Sequence, residues 1–180
     1  MNAHKEEIHW YALRITYSRE LALKQFLDAE QVENFVPMRY EYVTRQERRI
    51  RKLVPAIHNL VFIRGSRQQI DEIKETKAAI FPLRYIMDRE SRQPIVVPDV
   101  QMRNFIAVAG TFDQQVIYLP PTEFSMNRGD RVRITGGIFE GVEGVFVRIK
   151  GDRRVVVSIQ GVMAVATTFI HPSLIEKIEE

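Results

Sequence analysis

The chain contains no cysteine. That excludes a disulfide framework, a thiol nucleophile and thiolate-held metals, and it suits a reducing compartment. No apolar run approaches the ~20 residues that a membrane-spanning helix needs. The chain also has no P-loop, no G-x-G-x-x-G after a strand, no H-E-x-x-H and no G-x-S-x-G. Its histidines, His4, His9, His58 and His171, are scattered, and none has a neighbour at metal-ligand spacing. The carboxylate pairs Glu6-Glu7, Asp71-Glu72 and Glu179-Glu180 sit in polar stretches or at a terminus, where solvated charge is the ordinary role. With no catalytic constellation, the expectation is a protein that is not an enzyme and needs no metal or cofactor. Met1–Glu7 is polar and carries no apolar signal region, so cytoplasmic localisation is expected.

What is present is ordinary globular material. The chain has 180 residues, 45% hydrophobic and 27% charged, which is room for one domain or two small ones. The net charge is +3. Its distribution says more than its sum. Residues 1–110 carry 18 bases and 14 acids, whereas residues 125–180 carry 8 and 7. Six bases and only two acids fall within Arg39–Lys52. These bases suit phosphate contacts, or else a solvated tip, and the sequence does not interleave them with aromatics as a single-strand stacking platform would.

Ile8–Thr16 is rich in β-formers and reads as a strand. Ser18 is a candidate cap for a helix from Arg19 to Glu30, with Leu23, Phe26 and Leu27 on its buried face. Val32–Tyr42 reads as a strand interrupted at Pro37, Thr44–Lys52 as a charged loop, and Leu53–Ile63 as a third strand ended by Gly65. A short helix over Arg67–Lys74 turns Ile70 and Ile73 inward. Leu83–Met87 and Ile95–Val97 are short strands, and Pro98-Asp99 opens a helix to about Val108. Met102, Phe105, Ile106 and Ala109 mark that helix's buried face. The order β-α-β-β-α-β predicts a ferredoxin-like α/β sandwich over residues 1–110. Residues 111–125, with Pro120-Pro121, read as a linker, although Val116–Leu119 is apolar enough for a short strand. From residue 126 the texture changes to short β-rich runs separated by glycines. That predicts a small all-β barrel over 126–180, so the whole chain is α+β.

The most informative segment is Arg128-Gly129-Asp130-Arg131-Val132-Arg133-Ile134, followed by Gly136-Gly137-Ile138-Phe139-Glu140-Gly141-Val142-Glu143-Gly144-Val145. Gly141 and Gly144 suit positive φ or close backbone approach. The segment resembles the KOW motif, carried here by Gly129, Asp130, Val132, Ile134, Phe139, Gly141, Gly144 and Val145. Trp10-Tyr11-Ala12-Leu13, Asn34-Phe35-Val36-Pro37 and Pro55–Ile63 resemble the strands of the NusG N-terminal (NGN) domain. Together they give the order NGN, linker, KOW, and the chain resembles the NusG family over about residues 8–178, which implies that the C-terminal barrel is SH3-like. In the family's P-L-F-P-G-Y-V-F-V strand, His58, Asn59 and Leu60 replace a proline, the glycine and the tyrosine. The pattern over Ile86–Val108 is similar to the UpxY-type antiterminators of Bacteroides-like bacteria, which act on long surface-polysaccharide operons.

The resemblance implies a transcription elongation or antitermination factor that docks on the β′ clamp helices of RNA polymerase and faces the β subunit. Tyr11, Leu13, Phe35, Pro37, Pro55, Ile57, Leu60 and Phe62 are the candidate polymerase contacts. Arg14, Tyr17, Arg19 and Lys24, with Arg64, Arg67 and Lys74, are the candidates for contact with non-template DNA or nascent RNA. Where the housekeeping relative carries S-I-F-G-R, this chain reads Ser158-Ile159-Gln160-Gly161-Val162. The missing aromatic and arginine weigh against binding to the termination factor Rho, and less against binding to ribosomal protein S10. A monomer is expected. The competing reading is a KOW-type ribosomal or ribosome-assembly RNA-binding protein, which the modest basic charge disfavours.

Overall fold

The computed structural model describes residues 7–120 and 129–179. In chain order the first elements are β1 (Ile8–Ile15), α1 (Glu20–Ala29), β2 (Asn34–Phe35), β3 (Met38–Arg45), β4 (Arg48–Pro55), β5 (Leu60–Ser66), α2 (Arg67–Thr76), β6 (Leu83–Tyr85), β7 (Val96–Val97) and α3 (Asp99–Ala109). They are followed by β8 (Ile117–Leu119), β9 (Asp130–Ile134), β10 (Glu143–Ile149), β11 (Asp152–Ile159), β12 (Met163–Ala166) and β13 (Ile175–Lys177). The chain divides into two compact units, Met1–Pro37 with Ile57–Asp99, and Met38–Ala56 with Val100–Glu180.

The first unit holds the expected sandwich. Its sheet runs β2-β5-β1-β6, with β7 also paired to β1. The two central strands are nearly all apolar because both their faces are covered, which is why Ile8–Ile15 shows no clean alternation. Leu23 and Leu27 of α1 and Ile70 of α2 are fully buried. Ser66 caps α2, its hydroxyl accepting the Gln69 N–H at 3.1 Å.

The start of α1 differs from expectation. Tyr17 and Ser18 both adopt left-handed backbone, so the chain is still turning there, and α1 begins at Glu20 with no side-chain cap. Glu20 is 1% exposed, and its carboxylate accepts the backbone N–H of Asn59, itself at φ +63°. Glu20→Ala is expected to cost about 2 kcal/mol, the desolvation penalty of an orphaned buried N–H. Urea unfolding measures it. Glu20→Gln, which keeps an acceptor, should recover most of the loss.

Residues expected as a loop, Thr44–Lys52, instead form the outer part of a two-stranded ribbon. β3 and β4 pair from Met38↔Pro55 to Arg45↔Arg48. Gln46 and Glu47 make the turn, both at positive φ as a type I′ connection requires. The expected single strand over Leu53–Ile63 is accordingly broken between β4 and β5.

The second unit contains a six-stranded antiparallel sheet in the order β13-β9-β10-β11-β12-β8. Four of its strands fall on the β-rich runs read from the sequence. β8 comes from the stretch read as linker, and pairs with β12 from Ala164↔Leu119 to Ala166↔Ile117. Ile117 and Leu119 pack on Val156, Ala164 and Ala166, and this apolar burial holds the segment as a strand. Residues 121–125 of the expected linker lie outside the described residues. Helix α3 buries Met102, Phe105, Val108 and Ala109. Asn104 Oδ1 accepts the Glu143 N–H at 3.3 Å, which ties α3 to β10.

Candidate functional site

The eight candidate polymerase contacts do not make one surface. Side chains alternate across a strand, and the β1–β5 register sets Tyr11 opposite Ile63 and Leu13 opposite Val61. Leu60 and Phe62 pair with Arg14 and Ala12, so they lie on the other side of the sheet from Tyr11 and Leu13. Phe35 pairs with Phe62 and shares its side. The pleat therefore divides these candidates between the two faces of the sheet. Burial narrows the set further. Leu13, Leu60 and Phe62 are no more than 2% exposed, and Tyr11 and Pro37 are also buried. Phe35, Pro55 and Ile57 are half-buried. Ile57 stands in the short turn that precedes β5.

The candidate nucleic-acid contacts separate into two groups. Arg14 faces Arg84 across the β1–β6 register, and both are exposed. Three residues on from Arg14, Tyr17 is 80% exposed, with the Arg19 guanidinium 5.9 Å from its ring centre. Arg19 also donates to the Ile80 carbonyl. Lys24 is paired with Asp28 at 3.0 Å, and Lys77 stands over the Phe26 ring. Arg84 and Lys77 were not singled out in the sequence. No local pattern marks them, because only strand pairing and helix packing bring them beside Arg14 and α1.

Arg64, Arg67 and Lys74 are engaged within the first unit. Arg64 pairs with Glu33 at 3.2 Å and lies 3.8 Å from Asp99. Arg67 Nε donates to Asp71 at 2.9 Å, Lys74 lies 3.4 Å from the same carboxylate, and both cations stack over the Tyr85 ring. The Tyr85 hydroxyl donates to Asp71 Oδ1 at 3.0 Å. Partial burial works to raise the Asp71 carboxyl. The hydrogen bonds from Arg67 and Tyr85, with the two cations, outweigh it and hold the group below the usual carboxylate range. Burial, then the Asp71 charge, pushes the Tyr85 phenol well above its ordinary value. The neighbouring cleft is lined by Glu7, Asp71, Glu72 and Glu75 as well as His9 and Arg67. Its carboxylates outnumber its cations, so it repels phosphate. Among the described residues no cluster of histidines and carboxylates could hold a metal ion.

The KOW-like residues shape the β sheet. Gly129 lies at φ +136°, and Gly141 at +84°. A Cβ on Gly144 would stand 2.4 Å from the Val156 carbonyl oxygen, so this position needs glycine for close approach. Val132, Ile134, Phe139 and Val145 are buried, and Asp130 pairs with Lys177 at 2.9 Å. Gln160 is exposed but Val162 is buried, so only the former can meet a partner. Phe169, which the sequence reading did not select, is an exposed aromatic in contact with His171.

The β3–β4 ribbon carries a second feature that linear sequence hid. Arg51 lies 3.6 Å over the Tyr40 ring and Arg49 lies 4.2 Å over the Tyr42 ring. Pairing of the two strands therefore interleaves aromatics with bases, which corrects the reading that such interleaving is lacking.

The family profile described as transcription termination factor NusG matches residues 8–106. Among solved structures, that of Thermotoga maritima NusG, concerned with domain interaction, is 23% identical, with a TM-score of 0.48, over 96% of this chain and 98% of that one. No curated protein matches the chain.

Proposed function

The chain belongs to the NusG family of transcription factors, and on that premise we propose that it is an elongation and antitermination factor that binds RNA polymerase across the clamp. The observation that carries the proposal is the family match over residues 8–106, which includes the whole ferredoxin-like sheet. The factor docks on the β′ clamp helices, with the β subunit on its other side. A ligand that binds the closed cleft better than the open one shifts the population toward closure, and closure opposes pausing. Such a factor works by binding alone and needs no catalytic group or cofactor. Tyr17 and Arg14 touch the exposed non-template DNA or the nascent RNA, because both are exposed, and the half-buried Arg19 stands beside the Tyr17 ring. The factor acts as a monomer in the cytoplasm. It is a specialised antiterminator of the UpxY type, and its target is a long surface-polysaccharide operon.

Rho is not a partner in this reading. Aromatics and arginine dominate interface hot spots, and Gln160 supplies neither chemistry. Phe169 keeps ribosomal protein S10 as a candidate partner of the β sheet, because it retains an exposed aromatic there. Transcription with purified polymerase on the protein's own operon tests the proposal. Added protein should increase read-through there, and should leave Rho-dependent release unmoved on an unrelated template. Release shifted upstream by the protein would replace antitermination with a general elongation–termination role. Co-purification with ribosomal particles instead of polymerase would favour the ribosomal alternative.

A further inference from the structure

We propose that the β3–β4 ribbon is a single-stranded polynucleotide-binding element that stacks bases on Tyr42 and its guanidinium neighbours. The inference goes beyond polymerase docking and requires no polymerase. It starts from charge. Among the described residues Arg39 alone of the ribbon's bases has a carboxylate partner, Glu41, at 2.5 Å. Arg45, Arg48, Arg49, Arg51 and Lys52 are exposed and lack one. Glu47 in the turn is the other carboxylate of the ribbon, so the six bases against two acids leave an excess of four positive charges, a strong local attraction for phosphates.

Charge alone would suit any polyanion. The aromatic ladder selects single strands. Cross-strand pairing puts Tyr42 opposite Arg51 and Tyr40 opposite Leu53, all on one face. On that face, Arg51 covers Tyr40 and Arg49 covers Tyr42. Residues two apart on a strand are separated by about 6.6 Å, close to two base-stacking steps of about 3.4 Å. The face is thus a row of flat π surfaces and planar cations that repeats at every second step of a stacked strand. A duplex hides its base faces and has no use for it, whereas an unpaired base gains stacking and cation–π contact. Tyr42 is 52% exposed, so its ring has area to give. The inner end of the ladder is fixed in place. Tyr40 meets Phe112 edge-on at 6.3 Å, and its carbonyl accepts from Gln114 Nε2 at 2.7 Å. That anchorage leaves the outer rungs, Tyr42, Arg49 and Arg51, as the binding surface.

The test is fluorescence anisotropy of the full chain with labelled twelve-nucleotide oligo(dT), oligo(U) and a duplex of equal length, over a range of salt. Wild type should bind at least one single strand more tightly than the duplex, and the DNA and RNA arms show which sugar is preferred. Tyr42→Ala should weaken single-strand binding about tenfold with the salt dependence unchanged, because it removes stacking but no charge. Tyr42→Phe should restore it. Tyr42→Ile keeps a strand-forming residue and so separates loss of the ring from loss of the ribbon, and it should bind as poorly as Tyr42→Ala. Arg49→Ala should lower both affinity and the slope against salt. Duplex binding as tight as single-strand binding, or a Tyr42→Ile variant that binds like wild type, overturns the proposal and leaves the ribbon a plain phosphate contact. No single-strand binding at low salt also overturns it.

Discussion

Arg154→Ala is expected to destabilise the second unit by about 3–4 kcal/mol, the scale for removing one member of a buried charged hydrogen-bond group. Arg154 lies on β11 and is only 7% exposed. One terminal nitrogen, Nη1, donates to the carbonyls of Gln115 and Thr167, each at 2.7 Å. The other lies 3.2 Å from Asp152. The two carbonyls decide the outcome. Asp152 is half in water, so its ion pair contributes little. Truncation leaves two backbone acceptors with no donor and opens a space beside β8. Thr167 is held from a second direction, its hydroxyl accepting the Val155 N–H at 3.0 Å, so it cannot move away to find water cheaply. Urea unfolding followed by far-ultraviolet circular dichroism measures the loss. Arg154→Lys is expected to recover only part of it, since one ammonium must replace a planar fork. An unchanged midpoint for Arg154→Ala would mean that water reaches both carbonyls.

Much of the fold was legible because local pattern and tertiary packing agree. The β-formers of Ile8–Ile15, the i, i+3, i+4 spacing of Leu23 and Leu27 and the glycine-punctuated runs after residue 129 all lie where they were read. Gly141 and Gly144 were legible for the same reason, since few environments call for glycine so strictly. The misreadings have physical causes. The outer part of the ribbon, Thr44–Lys52, was read as a loop because Gln46-Glu47 is not an Asn-Gly or Asp-Gly turn signal. The strands around it must carry two non-glycine residues at positive φ, a cost that only their pairing can offset. β8 falls in the stretch read as linker, where Val116–Leu119 was apolar enough for a short strand, and only the edge offered by β12 decides for the strand. Ser18 was read as a cap because the sequence does not reveal that Glu20 turns its carboxylate to Asn59.

The candidate site was less legible than the fold. Residue type nominated Tyr11, Leu13, Leu60 and Phe62 as apolar anchors, but an interior needs the same types, and only register says which face each takes. The Tyr–Arg ladder shows the converse. Tyr40 and Tyr42 are seven or more residues from Arg49 and Arg51 in sequence, yet they stack once the strands pair.

In the full chain, Ile57→Asp is expected to weaken binding to RNA polymerase at least about thirtyfold, the affinity equivalent of a ~2 kcal/mol hot spot. Among the apolar candidates of the first unit, Ile57 combines partial exposure with a position in a turn rather than in the sheet. Leu13→Asp or Phe62→Asp would place a charge in the interior, where loss of folding would mask any loss of binding. At Ile57 the half-exposed side chain lets an aspartate reach water in the free protein, so the fold should survive with a loss of about 1 kcal/mol. In the complex that carboxylate would be dehydrated against an apolar partner with nothing to pair it. The penalty therefore falls on the bound state and raises the dissociation rate. Ile57→Val should bind nearly as wild type, because it keeps most of the apolar area. Affinity for purified polymerase, measured alongside the unfolding midpoint of each variant, separates the two effects. If folded Ile57→Asp binds as tightly as wild type, the docking surface lies elsewhere on the unit. The half-buried Phe35 on the edge strand β2 is then the next residue to change.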